Sequence, residues 1–376
     1  MADNALDVAL LRRVRRLVAA AGRLEPRSES PDLQQLERFA VLPARFRSRP
    51  AWRAVIALPT RGCRWFRPDG GACTHCGLIR DGLWDRSLEW GTALESFRAQ
   101  LARAIERRCT VICLYVAGSF FDDEELSPET RTEILRELAM CGPVEQLVVE
   151  CRPELVRRDA VRAARDQLGS IELVIGLGFD SFDRRVRALC LNKLTTERTY
   201  RQALDSVLTA GAQALTYVVL KPPFLDEGTA VREAIETGRF AFAAGASAVS
   251  VEPLAVQEGT LANLLWSRNL HHPPRLWSLV EVLQALQPLG TVLAGGSVVY
   301  PRSVREPCNC ERCTRAVLAA IEQLNLTQTG AALAGLTCDC LADWRRLLER
   351  PERPLEIQVE SAVIELERML GLPALV

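Results

Sequence analysis

The stretch Thr60-Arg-Gly-Cys63-Arg-Trp-Phe-Arg-Pro-Asp-Gly-Gly-Ala-Cys73-Thr-His-Cys76-Gly77 follows directly on an apolar run, Ala54-Val-Ile-Ala-Leu58. That run reads as a buried strand, and the stretch after it as a glycine-rich loop carrying three cysteines. Three thiolates are one short of a closed tetrahedral zinc site. Three is also the number that leaves one iron of a cubane iron–sulfur cluster open to an outside ligand, thiolates being the usual ligands of such clusters. The residues themselves leave both possibilities open: zinc with its fourth ligand elsewhere, or a 4Fe–4S cluster whose free iron chelates the amino and carboxylate groups of S-adenosylmethionine (SAM). In the second case an electron from the cluster splits the sulfonium, and a 5′-deoxyadenosyl radical abstracts hydrogen from an unactivated carbon.

Outward from the loop the chain keeps a rhythm. Apolar runs at 54–58, 111–117, 146–151, 171–178, 214–220 and 246–251 alternate with helical patterns near 92–107, 128–140, 154–167, 196–210 and 227–244. Six strands alternating with helices predict an α/β fold with a parallel sheet covered on both faces. The six units close into a partial barrel or lie open, and in either arrangement the site belongs at the C-terminal ends of the strands. Past residue 251 the rhythm fades. Helices are expected over 275–286, 314–323 and 355–370, and a last strand over 290–296. Residues 5–21 read as a basic amphipathic helix, followed by a Pro/Ser-containing stretch at 25–31. The expected division is therefore an N-terminal segment (1–53), the strand–helix series (54–300) and a cysteine-rich, helical C-terminal region (301–376).

The bulk composition narrows the class. A chain of 376 residues with 48% hydrophobic content can fill one large core and an appendage. No apolar run approaches a membrane span, so no membrane is expected. Thirteen cysteines in a long chain do not suggest a secreted disulfide framework. A reducing cytoplasm with metal-bound thiolates fits better. Net charge is zero, so no global basic field announces nucleic-acid binding. Residues 1–53 nevertheless hold 11 arginines against 6 acids, enough to meet phosphates or to form a solvated helix face. The chain has 45 arginines and only two lysines, Lys193 and Lys221. These two mark positions where a compact ammonium suits and a planar guanidinium does not.

The strand ends supply the other candidates. Gly118 and Ser119 follow the second strand and could offer backbone groups to an amino group. Glu150 and Arg152 lie on one side of the third strand, as a pair suited to a zwitterion, with Cys151 facing the other way. The fourth strand ends Gly176-Leu-Gly178-Phe-Asp180 and leads to Asn192-Lys193, and the fifth ends at Lys221. A second cysteine group, Cys310-x2-Cys313 and Cys338-x-Cys340, has the short-spaced pairs of a structural zinc site. Cys308 is a fifth thiol that leaves the ligand set ambiguous, and an auxiliary iron–sulfur cluster competes with zinc there.

These residues together resemble the radical SAM subunit of archaeosine synthase (RaSEA). The likeness runs through Thr-Arg-Gly-Cys63-Arg-Trp and Gly-Gly-x-Cys73-Thr-x-Cys76-Gly, then Gly118-Ser-Phe and Glu150-x-Arg-Pro-Glu. It continues in Asn192-Lys193, Lys221-Pro-Pro-Phe-Leu-Asp-Glu227, Glu252-Pro-Leu-Ala-Val-Gln257, Pro273-Pro-Arg-Leu-Trp-Ser278 and Cys-Asp-Cys340-x3-Trp344, covering roughly residues 52–345. The resemblance implies a partial (βα)6 barrel with a small zinc-binding C-terminal region. It implies a carbon–nitrogen lyase that cleaves the lysine adduct of a 7-deazaguanine base at position 15 of tRNA and leaves archaeosine. A partner subunit would attach the lysine, and an external electron donor would reduce the cluster. On that reading Cys63, Cys73 and Cys76 hold the cluster; Glu150, Arg152, Gly118, Ser119 and Gly178 surround SAM; and Asn192, Lys193 and Lys221 serve the reaction. The chain departs from the family pattern at His75, Leu78, Phe179 or Asp180, and Glu252. Action on another 7-deazaguanine or tRNA substrate, or a non-catalytic zinc-stabilised RNA-binding role, are the alternative readings.

Overall fold

The computed structural model describes residues 7–24, 38–66, 71–77, 90–295 and 303–373. The Pro/Ser stretch at 25–31 and Leu78 lie outside them. The strands are β1 (Arg38–Phe46), β2 (Arg49–Ala57), β3 (Val111–Tyr115), β4 (Gln146–Cys151), β5 (Glu172–Asp180), β6 (Gln213–Leu220), β7 (Ala248–Pro253), β8 (Val256–Gln257), β9 (Thr291–Ala294) and β10 (Ser303–Arg305). One sheet runs β1-β2-β3-β4-β5-β6-β7-β9, with β8 and β10 paired separately. Every pairing from β2 to β9 is parallel, and β1 is antiparallel to β2. The helices are α1 (Val8–Leu24), α2 (Trp90–Glu106), α3 (Pro128–Met140), α4 (Arg158–Leu168), α5 (Glu197–Thr209), α6 (Glu227–Ala244), α7 (Leu261–Ser267), α8 (Leu276–Leu286), α9 (Thr314–Thr327), α10 (Cys340–Leu348) and α11 (Leu355–Met369). Among the described residues no helix is long and apolar enough to cross a membrane.

Strand alternation builds three apolar layers. Ala54, Ile56, Leu114, Val149 and Ile175 point outward into a core with α2–α5. Val218, Leu220, Val249 and Val292 point outward into a second core with α1 and α6–α11. The residues between them, Val55, Cys113, Val148, Val174 and Leu215, form the inner layer. The sheet is curled round that layer. Arg53 of β2 and Glu252 of β7 feel one another's charge across the inner face. Five strand spacings in a flat sheet would hold them about 24 Å apart. The fold is thus a partial barrel whose inner face is lined by both ends of the sheet.

The β1–β2 hairpin was not expected from the sequence. It closes through Arg47 and Ser48, both in the left-handed region at φ 44° and 68°, between the paired residues Phe46 and Arg49. Such a two-residue turn ordinarily carries Asn-Gly, and Pro43 and Pro50 further disguise the strands. Pro43 is tolerated because β1 is the sheet edge. The division expected between residues 53 and 54 falls inside β2. The helix expected over 154–167 is a short turn at Pro153–Leu155 followed by α4.

The arginines of α1 are largely committed within the chain. Arg13 donates to Glu367 of α11 at 2.7 Å and Arg16 at 2.5 Å, while Arg15 donates to Asn192 at 3.2 Å. A second hub fixes the C-terminal region. Glu227 at the start of α6 accepts from Lys221 Nζ at 2.6 Å, from the Arg275 amide at 2.7 Å and from Ser278 Oγ at 2.5 Å. Trp344 Nε1 donates in turn to Ser278 Oγ at 2.8 Å. Lys221 and Glu227 are 8% and 5% exposed. Removing the carboxylate strands a buried ammonium, so Glu227→Ala should destabilise the fold by about 3–5 kcal/mol. Glu227→Gln, which keeps the shape, should cost less. Denaturant unfolding of the two variants checks the order.

Candidate active site

The cysteine loop lies over the C-terminal edge of the sheet and is fastened at many points. Thr60 Oγ1 donates to Glu125 at 2.9 Å, and the other Glu125 oxygen accepts from the Ser119 amide at 2.7 Å. Arg64 Nε donates to the buried Asp122 at 2.6 Å. Trp65 Nε1 donates to the Asn192 carbonyl at 2.9 Å, and Asn192 Nδ2 donates to the Ala72 carbonyl at 2.7 Å. Thr74 Oγ1 donates to the Cys190 carbonyl at 2.6 Å, and the Gly77 amide to Gln257 Oε1 at 2.6 Å. Gly118 permits the closest approach. A Cβ there would sit 2.6 Å from Cys63 Cα and would also strike Glu125.

The three loop thiols are half-buried. Burial first, then the Glu125 carboxylate, pushes Cys63 up to about 11, and burial raises Cys73 as well. Arg152 faces both sulfurs, and Lys193 faces Cys73. Cations beside the sulfurs favour the thiolates that a metal requires.

Beside the loop, the inner face carries ionisable side chains. Tyr217 of β6 donates to Glu150 of β4 by lying across β5, which is possible because Gly176 leaves the room; a Cβ there would be 2.5 Å from the Tyr217 ring. Burial, together with the Glu252 carboxylate, lifts Glu150 to about 7, and burial raises Glu252. A break in register between Gly178 and Asp180 turns Asp180, at φ 69°, toward Lys193, which pairs with it. Burial alone would lower Lys193, but the Asp180 charge outweighs it and holds the ammonium well above its usual range. The Lys193 ammonium lies over Gly178, 3.3 Å from where a Cβ would stand. Arg152 stacks over Trp65 at 4.8 Å and pairs with Glu154 at 3.4 Å. His75 is held down to about 4 by burial and by Lys193, and its Nδ1 is buried with no partner among the described residues.

The structure thus gathers Cys63, Cys73, Cys76, Gly118, Ser119, Glu150, Arg152, Gly178 and Lys193 at one place. Ser119 is used within the protein, its amide on Glu125 and its Oγ accepting from the Arg152 amide at 3.0 Å. Asn192, fully buried at φ 52° after a π-helical turn at Val186–Cys190, ties the two ends of the loop together. Lys221 stands elsewhere, in a cavity beside α8 and α10. Cys151 packs in the outer core, opposite Glu150 and Arg152. The sequence reading missed Asp122, Glu125, Thr60 and Thr74 as anchors and Tyr217 as the partner of Glu150. Only the family departures at Asp180 and Glu252 hinted at the inner-face acids.

The second cysteine group forms a tight knot. Cys310, Cys313, Cys338 and Cys340 have all four Sγ atoms within 4.8 Å, with contacts of 3.5–3.6 Å. That spacing fits four ligands of one tetrahedral ion. Trp277 Nε1 donates to Cys340 Sγ at 3.3 Å. Cys308 is not one of the four and accepts from Arg305 at 3.4 Å.

No protein-family profile matches the chain. The archaeosine synthase subunit beta of Methanosarcina acetivorans is 30% identical over 300 residues, covering 78% of this chain and 84% of that protein. The chain belongs to the archaeosine synthase subunit beta family. The family member of Thermococcus kodakarensis is 30% identical over 317 residues, 80% of this chain and 93% of its own. Among solved structures, methylornithine synthase superposes on 96% of this chain and 89% of its own with a TM-score of 0.49 at 13% identity.

Two outcomes follow from this geometry. With its pKa near 7 in the fold against an ordinary 4.5, Glu150 holds a proton that the unfolded chain releases. Its contribution is full below about pH 4.5 and is lost as pH rises through about 7. Unfolding midpoints of the metal-free protein should therefore fall between about pH 5 and pH 8, with a shallower fall in Glu150→Gln. The four-thiol knot should also keep about one metal ion per chain when Cys63, Cys73 and Cys76 are all serine, and lose it in Cys310→Ser. Elemental analysis of both variants checks this.

Proposed function

We propose that this chain is the radical SAM subunit of an archaeosine-forming system. In this reading it cleaves the carbon–nitrogen bond of a lysine adduct on a 7-deazaguanine base of tRNA. The observation that carries it is the family relationship, joined to a three-cysteine loop seated over the C-terminal edge of a curled parallel sheet. Cys63, Cys73 and Cys76 hold a 4Fe–4S cluster, and Cys310, Cys313, Cys338 and Cys340 hold zinc. When bound, such a cluster with SAM supplies a carbon-centred radical able to take hydrogen from an unactivated carbon.

The protein's own residues bind, orient and shield. Arg152 offers its guanidinium beside Cys63 and Cys73, where a carboxylate of SAM can pair with it. Glu150, its carboxyl poised near neutrality and held by Tyr217, faces the inner space where an ammonium or ribose hydroxyl can meet it. Lys193, fixed by Asp180 over Gly178, presents a positive charge beside Cys73. Gly118 and Ser119 seat the loop, and Asn192 locks it from below. Lys221 acts at a distance, through Glu227. A partner subunit supplies the lysine adduct and most of the RNA contact, in keeping with the zero net charge of this chain. Because Asp180 and Glu252, two points of departure from the family pattern, both line the inner face, a related 7-deazaguanine substrate is the second reading.

Anaerobic reconstitution with iron and sulfide should give a brown protein that converts SAM to 5′-deoxyadenosine under reductant. Cys63→Ser, Cys73→Ser and Cys76→Ser should each abolish that conversion. Mass spectrometry of tRNA carrying the lysine adduct should then show archaeosine. Full SAM turnover with no change in the tRNA would favour the second reading, and a well-folded chain with zinc but no SAM cleavage would overturn both.

A further inference from the structure

Away from the cysteine loop, a cavity of about 690 Å³ opens between the end of β6, the segment before α8 and the helices α10 and α11. None of the loop cysteines, Glu150, Arg152 or Lys193 lines it. Its size is that of a small-ligand site. Its wall carries Arg275, Arg305, Arg350 and Arg353. None of the four has a carboxylate partner within ion-pair distance among the described residues.

The carboxylates on the same wall do not neutralise them. Both oxygens of Glu227 are taken by Lys221, the Arg275 amide and Ser278. Asp226 caps α6 through the Thr229 amide at 2.8 Å and the Thr229 hydroxyl at 3.1 Å. Glu306 is exposed at the rim. His271, only 4% exposed, also lines the cavity, and its Nε2 has no hydrogen-bond partner among the described residues. Arginine forks match the oxygens of phosphate in pairs.

We propose that this cavity is an anion site for a phosphate group, held by Arg275, Arg305, Arg350 and Arg353. The phosphate comes either from the backbone of an RNA or from a small free phosphate ester. The site stands apart from the radical chemistry and does not depend on it.

The test uses the full chain. Calorimetry measures binding of inorganic phosphate, pyrophosphate and guanosine 5′-monophosphate, and fluorescence anisotropy measures binding of a labelled tRNA transcript. Arg350→Gln/Arg353→Gln, at two exposed positions where folding is spared, is compared with a control pair on the far helices, Arg162→Gln/Arg198→Gln. The cavity variant should lose roughly tenfold or more in phosphate affinity, while the control matches the unaltered protein.

If tRNA binding falls in parallel, with its salt dependence shallower by about two ions, and pyrophosphate competes with tRNA, RNA supplies the phosphate. If only the small ligands are lost, a free ester does. Phosphate binding that is absent in the unaltered protein, or equal in both variants, overturns the site. Loss of tRNA binding without any small-phosphate binding overturns it too, in favour of a diffuse basic surface. SAM cleavage by the same variants should be unchanged, so failure of the radical reading and failure of this one are told apart.

Discussion

A buried carboxylate fixes the start of the cysteine loop to the barrel. Glu125 is 1% exposed and accepts from Thr60, at the end of β2, and from the backbone at Ser119, at the end of β3. Burial pushes it up to about 7, against the pull of those donors. Gly118 lies between this carboxylate and Cys63, too close for any side chain. The position of Cys63 is therefore set by the strand ends rather than by the loop's own conformation. Beyond that anchor the loop is tied to Asn192, to the Cys190 carbonyl through Thr74 and to Gln257 through Gly77, next to Cys73 and Cys76.

The same economy of space governs the inner face. Glycines at 176 and 178 on β5 admit the Tyr217 ring and the Lys193 ammonium over the strand. Those two groups then hold Glu150 and pair with Asp180. Asp180 and Lys221, at the ends of β5 and β6, adopt positive φ without being glycine, as do residues in ordinary turns such as Arg47-Ser48. The C-terminal region is not a separate appendage. Its four-thiol knot, Trp277 and Trp344 close onto the Glu227 hub, so a metal bound there stiffens the base of α6 and α8 as well as its own loop.

Much of this was legible beforehand. Continuous apolar runs located the strands from β2 to β7, and period-3.6 patterns their helices, because each strand is buried on both faces and each helix on one. The short-spaced pairs Cys310-x2-Cys313 and Cys338-x-Cys340 were legible from spacing, but that Cys308 stays out of the knot they form was not. The β1–β2 hairpin was not, because Arg47-Ser48 adopts a turn that lacks its usual asparagine and glycine. Glu125 belongs to no motif the sequence analysis names, and only its burial reveals it as an anchor.

The sequence by itself determined the chemistry at hand: three thiols on one loop after the first parallel strand, two short-spaced cysteine pairs, and two lysines in a chain of arginines. Tertiary structure alone decided which of these meet. Lys193 and Lys221 look equivalent on paper, each at a strand end. The register break at Asp180 brings Lys193 over Gly178 to the cysteine loop, whereas Glu227 draws Lys221 down to a different cavity. Charge pairing across a curled sheet is set by curvature and register, which are properties of the assembled strands and not of any one segment.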